Sequence, residues 1–367
     1  MRNGDYRMLD SPGRPQFPRR SRSRPIGISR PMRFTFVVPG LASLDRAVLA
    51  ASRPLSRLAS WSRPRVEPRG LAAALLASVG AADHDTARDV PAAPLAALGA
   101  GVDPHASFVL AAEPVHLAAG REDVAIASRV DDLSADDART LVDALSRHFA
   151  GDGISFVAPR PDTWFVTMDA RPDLATVPLD AVLGTMMSRC LPTGSASRLW
   201  QRWSTEIQML LHAHPVNQAR AALGLPVCNG VWFWGGGTLA DVGLVAPFRA
   251  HAPAGRTGDL VRGLALAAGG EAMALPGSFE AAIEAVPAAR PATHVVVALP
   301  GVERALSEID GAWLSPAVEW LERGRLASIA LVSSRDTTAA TWSVRRPSAL
   351  GRLMARAAPR RFTAPER

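Results

Sequence analysis

Short apolar runs alternate with helical stretches in the last third of the chain, and this alternation constrains the fold most. After a linker around 246–257, the pattern predicts helices and strands in the order helix Asp259–Ala268, strand His294–Leu299, helices Val302–Ile309 and Pro316–Glu322, and strand Leu326–Ser333. Strands that alternate with helices are typical of a mainly parallel sheet flanked by helices. An early apolar run, Phe34–Val38, stops at Pro39-Gly40 and can join the same sheet.

The middle of the chain has a different pattern, which predicts an inserted α+β module. Its predicted elements are strands at Ser107–Leu110 and Asp123–Val130, a helix that a loose capping box opens at Ser134, short strands at Ile154–Val157 and Trp164–Met168, helices over 195–223, and a buried strand Gly230–Trp234. Within the helical stretch 195–223, Leu199, Trp203, Ile207 and Leu210 are expected to form an apolar stripe. The triple glycine Gly235–Gly237 is expected to form a loop after the last strand.

These patterns divide the chain into five predicted parts. They are an Arg-rich tail at 1–31, a first part of an α/β core at 32–106, the inserted module at 107–245, the second part of the core at 246–347, and a basic C-terminal tail at 348–367. The predicted architecture is therefore an α/β fold with a mainly parallel core sheet and one inserted α+β module.

Positive charge is concentrated at the two ends of the chain, and the part between them is mildly acidic. Of 41 basic residues, all arginine, eight lie in 1–31 and seven in 345–367. A nucleic-acid surface on the folded body is therefore not indicated. The composition of 1–31 predicts disorder, and Met32 directly before the first strand suggests that the tail is a start-site artefact or a passive segment. A basic arm for nucleic acid remains an alternative.

Two classes of protein are excluded at this stage. No apolar run approaches the roughly 18 residues that a membrane span requires. Cys190 and Cys228 are too few for a disulfide framework or a four-cysteine zinc site. Residues 1–31 lack the apolar core of a signal peptide. We therefore expect free thiols and a cytoplasmic protein.

Polar residues are densest among apolar ones between positions 206 and 237. The candidate ligand-binding residues there are Glu206, His214, Asn217, Arg220, Asn229, Trp234, Gly235, Gly236 and Gly237. Arg220 could hold an anion through forked hydrogen bonds, and glycine amides allow a close approach. We expect Asn217, Arg220 and Asn229 to lie beside the glycine loop. The alternative is structural, with polar side chains tying helix ends to the following strand.

The same residues carry a resemblance to known families. The run Glu206–Arg220, followed by Gly224-Leu-Pro226, Asn229 and Trp232–Gly237, resembles the hallmark block of bacterial RpfE-type regulatory proteins. The block is also similar to a His-Pro-Val-Asn stretch of archaeal-type cofactor-independent phosphoglycerate mutases. This resemblance covers roughly 33–347 and implies an alkaline-phosphatase-like core sheet that carries an insertion.

The metal-binding elements that the mutase resemblance implies are altered in this chain. An Asp-Gly pair should end the first strand, where Pro39-Gly40 stands, and His294–Glu303 has no Asp-x-x-Gly-His element. In Arg335-Asp-Thr-Thr338 an arginine replaces the expected aspartate. Two-metal phosphoryl chemistry needs several carboxylates and histidines that converge on the cations. We therefore expect no metal and no cofactor, and we assign no catalytic residue.

The leading hypothesis is a non-catalytic regulatory or ligand-binding protein. Its expected partners are an anionic small molecule and an unidentified protein. One alternative is an active metal-dependent phosphoglycerate mutase or phosphatase. A second is a nucleic-acid binder that acts through the Arg-rich tail.

Overall fold

The computed structural model describes residues 32–348, except 82–88, 105–106, 121–122, 244–245, 287–292, 302–305 and 336, together with Phe362. The predicted tail at 1–31 lies outside the described residues. So do the start of the predicted helix at Val302 and most of the C-terminal tail.

The strands form two sheets. In chain order they are β1 (Met32–Val37), β2 (Arg65–Glu67), β3 (Phe108–Ala119), β4 (Val124–Arg129), β5 (Ile154–Arg160), β6 (Thr163–Met168), β7 (Gly230–Gly237), β8 (Arg249–His251), β9 (Glu271–Met273), β10 (His294–Ala298), β11 (Leu326–Arg335) and β12 (Thr338–Arg345). The core sheet has the order β2-β12-β11-β1-β10-β8-β9, and β3 to β7 form the second sheet.

Helices flank both sheets. In chain order they are α1 (Arg46–Ala51), α2 (Arg53–Trp61), α3 (Gly70–Val79), α4 (Ala92–Gly99), α5 (Ala135–His148), α6 (Ser197–His212), α7 (Pro215–Ala222), α8 (Arg256–Ala267), α9 (Phe279–Glu284), α10 (Leu306–Ile309) and α11 (Ser315–Glu322). A π-helical segment, Asp310–Leu314, joins α10 to α11. The chain therefore has a mixed α/β fold with flanking helices.

The core sheet is mainly parallel, with β1 at its centre. β1 pairs in parallel with β10 and β11, and β8 and β9 extend the parallel part on the β10 side. The other edge is antiparallel, since β12 returns along β11 and pairs with β2. The sequence did not predict β12, because its apolar residues alternate with Thr, Ser and Arg and carry no strong run.

Both faces of the core sheet are covered by helices, as the apolar character of β1 requires. Phe34 and Phe36 lie on one face, where their rings pack against Phe279 and Trp313 with centroids 5.0 Å and 6.5 Å apart. Val37 lies on the opposite face, among buried residues of α3, α4 and α8. The alternation of β1 thus positions α4 and α8 on one side of the sheet.

The second sheet is antiparallel and packs α5, α6 and α7 on one face. Trp200 of α6 contacts Phe233 of β7, with ring centroids 4.9 Å apart. The predicted stripe of α6 is confirmed at Trp203 and Ile207, half-buried at Leu210 and wrong at Leu199. Trp200 and Leu211 are buried, whereas Leu199 is 40% exposed. The large indole of Trp200 fills the space over Phe233 and sets the rotation of the helix.

The triple glycine is not a loop, which corrects the prediction. β7 continues through Gly237, and Val109 of β3 pairs with Gly237. Gly235 has a φ of +69° beside a register shift in this pairing. Glycine tolerates that conformation, so the strand passes through an irregularity without ending. Within the described residues, no helix combines the length and apolarity needed to cross a membrane.

Candidate functional site

A cavity of about 350 Å³ lies between the two sheets. One face of α4 lines it with Ala92, Ala93 and Ala96. The core contributes Ser334 from the end of β11 and Thr337 from the turn before β12. The volume lies within the range of small-molecule sites, and the alanines leave the space open.

Strand alternation explains why a carboxylate reaches this cavity. Phe108, Leu110 and Ala112 of β3 are buried against the helices of the second sheet. Successive side chains of a strand point to opposite faces, so Ala111 and Glu113 lie on the cavity side. Glu113 is 4% exposed. A carboxylate at this depth requires partners.

Glu113 obtains those partners from three residues. The indole Nε1 of Trp234 donates to Glu113 Oε1 at 2.6 Å. Arg129 Nε donates to Glu113 Oε2 at 2.9 Å, and Arg256 Nε forms an ion pair with the same oxygen at 3.1 Å. Because Arg256 begins α8 and Glu113 lies on β3, this cluster joins the core to the second sheet.

The two arginines of this cluster are also held by other carboxylates. Arg129 Nη2 donates to Asp180 Oδ1 at 2.7 Å. Arg256 Nη2 donates to Asp131 and to the carbonyl of Asp162, the latter at 3.2 Å. The remaining arginine among the described lining residues, Arg69, pairs with Glu67 at 3.2 Å. Each lining arginine therefore already faces a carboxylate.

A second acidic group, Asp89, lies just before α4. Thr176 donates to it from its hydroxyl and from its backbone amide, the latter at 2.8 Å, and Gly236 N donates at 3.3 Å. Burial raises the pKa of Asp89, and the bonds from Thr176 oppose that rise. Among the described residues, no arginine pairs with this carboxylate.

Asp259 of α8 is the most deeply buried carboxylate of the lining, at 1% exposure. Arg160 of β5 donates to its Oδ2. Its other oxygen, Oδ1, is buried and accepts no hydrogen bond from any described residue. Burial raises the pKa of Asp259, and the contact with Arg160 opposes the rise.

Of the residues that the sequence singled out, Asn217 and Arg220 are bonded to the protein at the start of β7. Asn217 Nδ2 donates to the carbonyls of Leu211 and Cys228, and its Oδ1 accepts from Cys228 N at 2.8 Å. Arg220 Nε donates to the carbonyl of Pro226 at 2.9 Å, and its Nη2 donates to Asp132 at 2.5 Å.

Asn229, Glu206 and His214 also lie away from the cavity. The side chain of Asn229 exchanges two hydrogen bonds with the backbone of Leu117, at 2.7 and 2.9 Å. Glu206 pairs with His148 and Arg202 at the surface. His214 caps α7 and accepts from Val216 N at 3.3 Å. All of these contacts are between protein groups.

The remaining predicted residues lie at the opposite end of β7. Trp234 and Gly235 line the cavity. A Cβ at Gly236 would lie 2.7 Å from Cζ of Phe108, and one at Gly237 would lie 2.6 Å from Cβ of Pro91. These two glycines are required by packing. The expectation that Arg220 and the glycines form one site is wrong, because the length of β7 separates them.

The carboxyl ends of the core strands are where the mutase resemblance implies metal-binding side chains. Gly40 N donates to the hydroxyl of Ser334 at 3.4 Å, and Ala42 N donates to that of Ser333 at 3.0 Å. Arg335, which ends β11, is cationic. Among the residues that the structure describes, no group of three His, Cys, Asp or Glu side chains is placed to hold a metal. This donor set does not fit two divalent cations.

Sequence reasoning missed the residues that define the cavity. Glu113 had a signal, since it is the one acid in the apolar run Phe108–Val115. Asp259, in the first turn of a predicted helix, resembled an ordinary helix-start acid. Asp89 and Thr176 lie in polar segments that carry no periodicity, so nothing in the sequence distinguished them.

Comparison with known proteins shows a distant similarity to phosphoglycerate mutases. No family model matches it. A 112-residue stretch is 30% identical to the 2,3-bisphosphoglycerate-independent phosphoglycerate mutase of Methanothrix thermoacetophila. That stretch is 29% of this chain and 27% of the relative. The chain therefore matches about a quarter of the length of this curated relative.

Two solved structures are similar over most of the chain. The PH0037 protein of Pyrococcus horikoshii superposes with a TM-score of 0.51 and 17% identity, over 86% of this chain and 88% of that one. The cofactor-independent phosphoglycerate mutase of Thermoplasma acidophilum has a TM-score of 0.40 and 15% identity, over 86% and 90% of the two chains. The first of these supports a shared fold.

Proposed function

We propose that this chain is a non-catalytic, ligand-binding protein with a phosphoglycerate-mutase-like fold, and that its ligand occupies the cavity between the two sheets. The observation that carries the proposal is the combination of an open cavity with a donor set that does not fit a two-metal centre. Within this proposal, the core at 32–106 and 246–347 is alkaline-phosphatase-like, and 107–245 is its inserted module.

The position of the cavity supports this function. Ser334 belongs to the end of a core strand, where ligands of open α/β sheets commonly bind. Trp234 and Glu113 belong to the second sheet, so a bound molecule would contact both. Such a ligand would favour one relative position of the two sheets. We include in the proposal the regulatory role that the RpfE-type resemblance implies, in which a protein partner binds this ligand-bound arrangement.

The alternative is an active metal-dependent mutase, which the 112-residue match favours. The two functions predict different results in a mutase assay with 3-phosphoglycerate and added Mn²⁺, Mg²⁺ or Zn²⁺. We expect no turnover and no stoichiometric metal by elemental analysis. The Methanothrix enzyme is the positive control. Two tightly held metals per chain, or turnover near that of the control, would establish the alternative.

Ligand binding is tested with benzyl alcohol, a neutral aromatic probe, by saturation-transfer NMR. We expect binding to the wild-type chain and loss of binding in Ala96→Phe, which fills the cavity. Ala221→Phe is the matched control, because Ala221 is exposed on α7. A shift of the Trp234 indole signal on titration gives a direct readout in the wild-type chain. Absence of both effects would refute the proposed site.

A further inference from the structure

The cavity that the proposed function assigns to a ligand has an excess of acidic groups. Its described lining holds five carboxylates and three arginines: Asp89, Glu113, Asp162, Asp180 and Asp259, with Arg69, Arg129 and Arg256. The lining itself therefore carries net negative charge, which is unfavourable for phosphorylated sugars. Arg160, outside the lining, offsets part of this charge through its ion pairs with Asp162 and Asp259.

The arginines are not available to compensate for an entering anion. Arg129 and Arg256 share Glu113, and each also holds a second carboxylate. An anionic ligand would have to displace one of these partners and leave a buried carboxylate such as Glu113 with fewer bonds. Removing a partner from a buried charge is strongly unfavourable. The arginine cluster is therefore better suited to orient Glu113 and Trp234 than to bind phosphate.

Two carboxylates retain capacity for a donor. Asp259 Oδ1 is buried without a hydrogen bond from the described residues, although the other oxygen holds Arg160. Unsatisfied buried acceptors are rare in native proteins, so this oxygen has room for a donor that the described side chains do not supply. Among the described residues, the donors to Asp89 are neutral groups of Thr176 and Gly236.

The remaining wall suits an apolar body. Alanines of α4 and the side chains of Phe165 and Leu260 lie around the cavity. Trp234 adds an indole. Indole rings attract cations through their electron-rich faces, most strongly where water is excluded.

From these observations we infer that the cavity binds a small organic cation, an ammonium or amidinium group on an apolar or aromatic body, with Asp259 as its principal acceptor. This inference rests on the proposed function, since it names the ligand class of that same cavity. It replaces the anionic ligand that the sequence suggested. Arg220, the residue on which that suggestion rested, is held by Asp132 and Pro226.

The test compares probes of similar shape and different charge on the full chain. Benzyltrimethylammonium is the cation, phenylacetate the anion and benzyl alcohol the neutral reference, each titrated by NMR at constant ionic strength. We expect the cation to bind at least tenfold more tightly than the anion. Equal affinities, or tighter binding of phenylacetate, would overturn the inference.

Variants assign the effect to named carboxylates. Asp259→Asn keeps an acceptor for Arg160 and removes the charge, so we expect at least a fivefold loss for the cation and no loss for benzyl alcohol. Asp89→Asn provides a second variant if Asp259→Asn does not fold. Asp143→Asn is the control, because Asp143 is exposed on α5. An unchanged cation affinity in both cavity variants would contradict the inference.

The outcomes separate this inference from the proposed function. If benzyl alcohol binds and Ala96→Phe abolishes binding, but charge makes no difference, the cavity is a ligand site of another class. If none of the three probes binds, both the ligand class and the site are refuted.

Discussion

Gly99 of α4 and Gly263 of α8 contact each other where the two helices cross. A Cβ at Gly99 would lie 1.9 Å from the carbonyl oxygen of Asp259, and one at Gly263 would lie 1.7 Å from that of Leu95. The two backbones are therefore in direct contact, and no side chain fits between them. This contact brings Asp259 against α4 and fixes one end of the cavity.

The glycine contact predicts a large cost for the smallest side chain. Gly263→Ala should lower the free energy of unfolding by about 1–3 kcal/mol or more, because backbone atoms cannot move aside as a flexible side chain can. Chemical denaturation provides the measurement. Gly151→Ala is the matched control, since a Cβ there meets nothing within 4 Å. Equal effects of the two substitutions would contradict the assigned contact.

Arg220 is predicted to stabilise the fold rather than to bind a ligand. Arg220→Ala should cost on the order of 2–3 kcal/mol, because it leaves the carbonyl of Pro226 without its charged donor. Asp132 is half exposed, so water screens the ion pair and reduces its share of the cost. Denaturation is compared with Arg198→Ala on the exposed side of α6. Lost probe binding with unchanged stability would reverse this assignment.

His294 is predicted to make stability fall in mild acid. Burial lowers the pKa of His294 from 6.5 to about 4, with a smaller effect of Arg33. Between these values the unfolded chain binds a proton that the folded chain does not, so unfolding becomes easier as the pH falls. The contribution approaches about 1.4 kcal/mol per pH unit.

The measurement for His294 is the free energy of unfolding from pH 7 to pH 4 in wild type and His294→Gln. The variant should show a shallower pH dependence, whatever its stability at pH 7. His212→Gln controls for the loss of a histidine, since His212 is exposed. Parallel curves for wild type and His294→Gln would show that this group does not carry the effect.

The two thiols are predicted to differ in reactivity. Cys228 is fully buried, and burial raises the pKa of its thiol to about 12. Because the thiolate is the reactive form, native protein should not be labelled at Cys228 by iodoacetamide at pH 8. Mass spectrometry should find label at the half-buried Cys190 only. Cys190→Ser should be unlabelled until denaturant is added, and rapid native labelling of that variant would disprove the prediction.

The framework of the core was predictable, because local periodicity determines it. The run Phe34–Val38 and the run His294–Leu299 became β1 and β10, whose apolar residues are buried on both faces of the sheet. The capping box at Ser134 is confirmed at its first contact, with the Ser134 hydroxyl accepting from Asp137 N at 3.0 Å. Each of these patterns depends on residues that are close together in the sequence, so the tertiary fold does not alter it.

The site was less predictable, because its residues are brought together by distant pairings. Glu113 and Arg256 meet only after the second sheet packs against α8. The polar block around Asn217 was conspicuous in the sequence, yet its side chains serve the turn between α7 and β7. Density of polar residues alone does not distinguish a ligand site from a turn whose backbone groups need partners.

The position of β1 in the core sheet has a consequence for synthesis on the ribosome. Phe34 pairs with Val295 and Ile329, so the first described strand waits for partners that emerge near the end of translation. All strands of the second sheet lie between Phe108 and Gly237, so that sheet can form while β1 is still unpaired. Exposed apolar edges of this kind are prone to aggregate. A nascent chain stalled before β10 would therefore present Phe34 and Phe36 to chaperones.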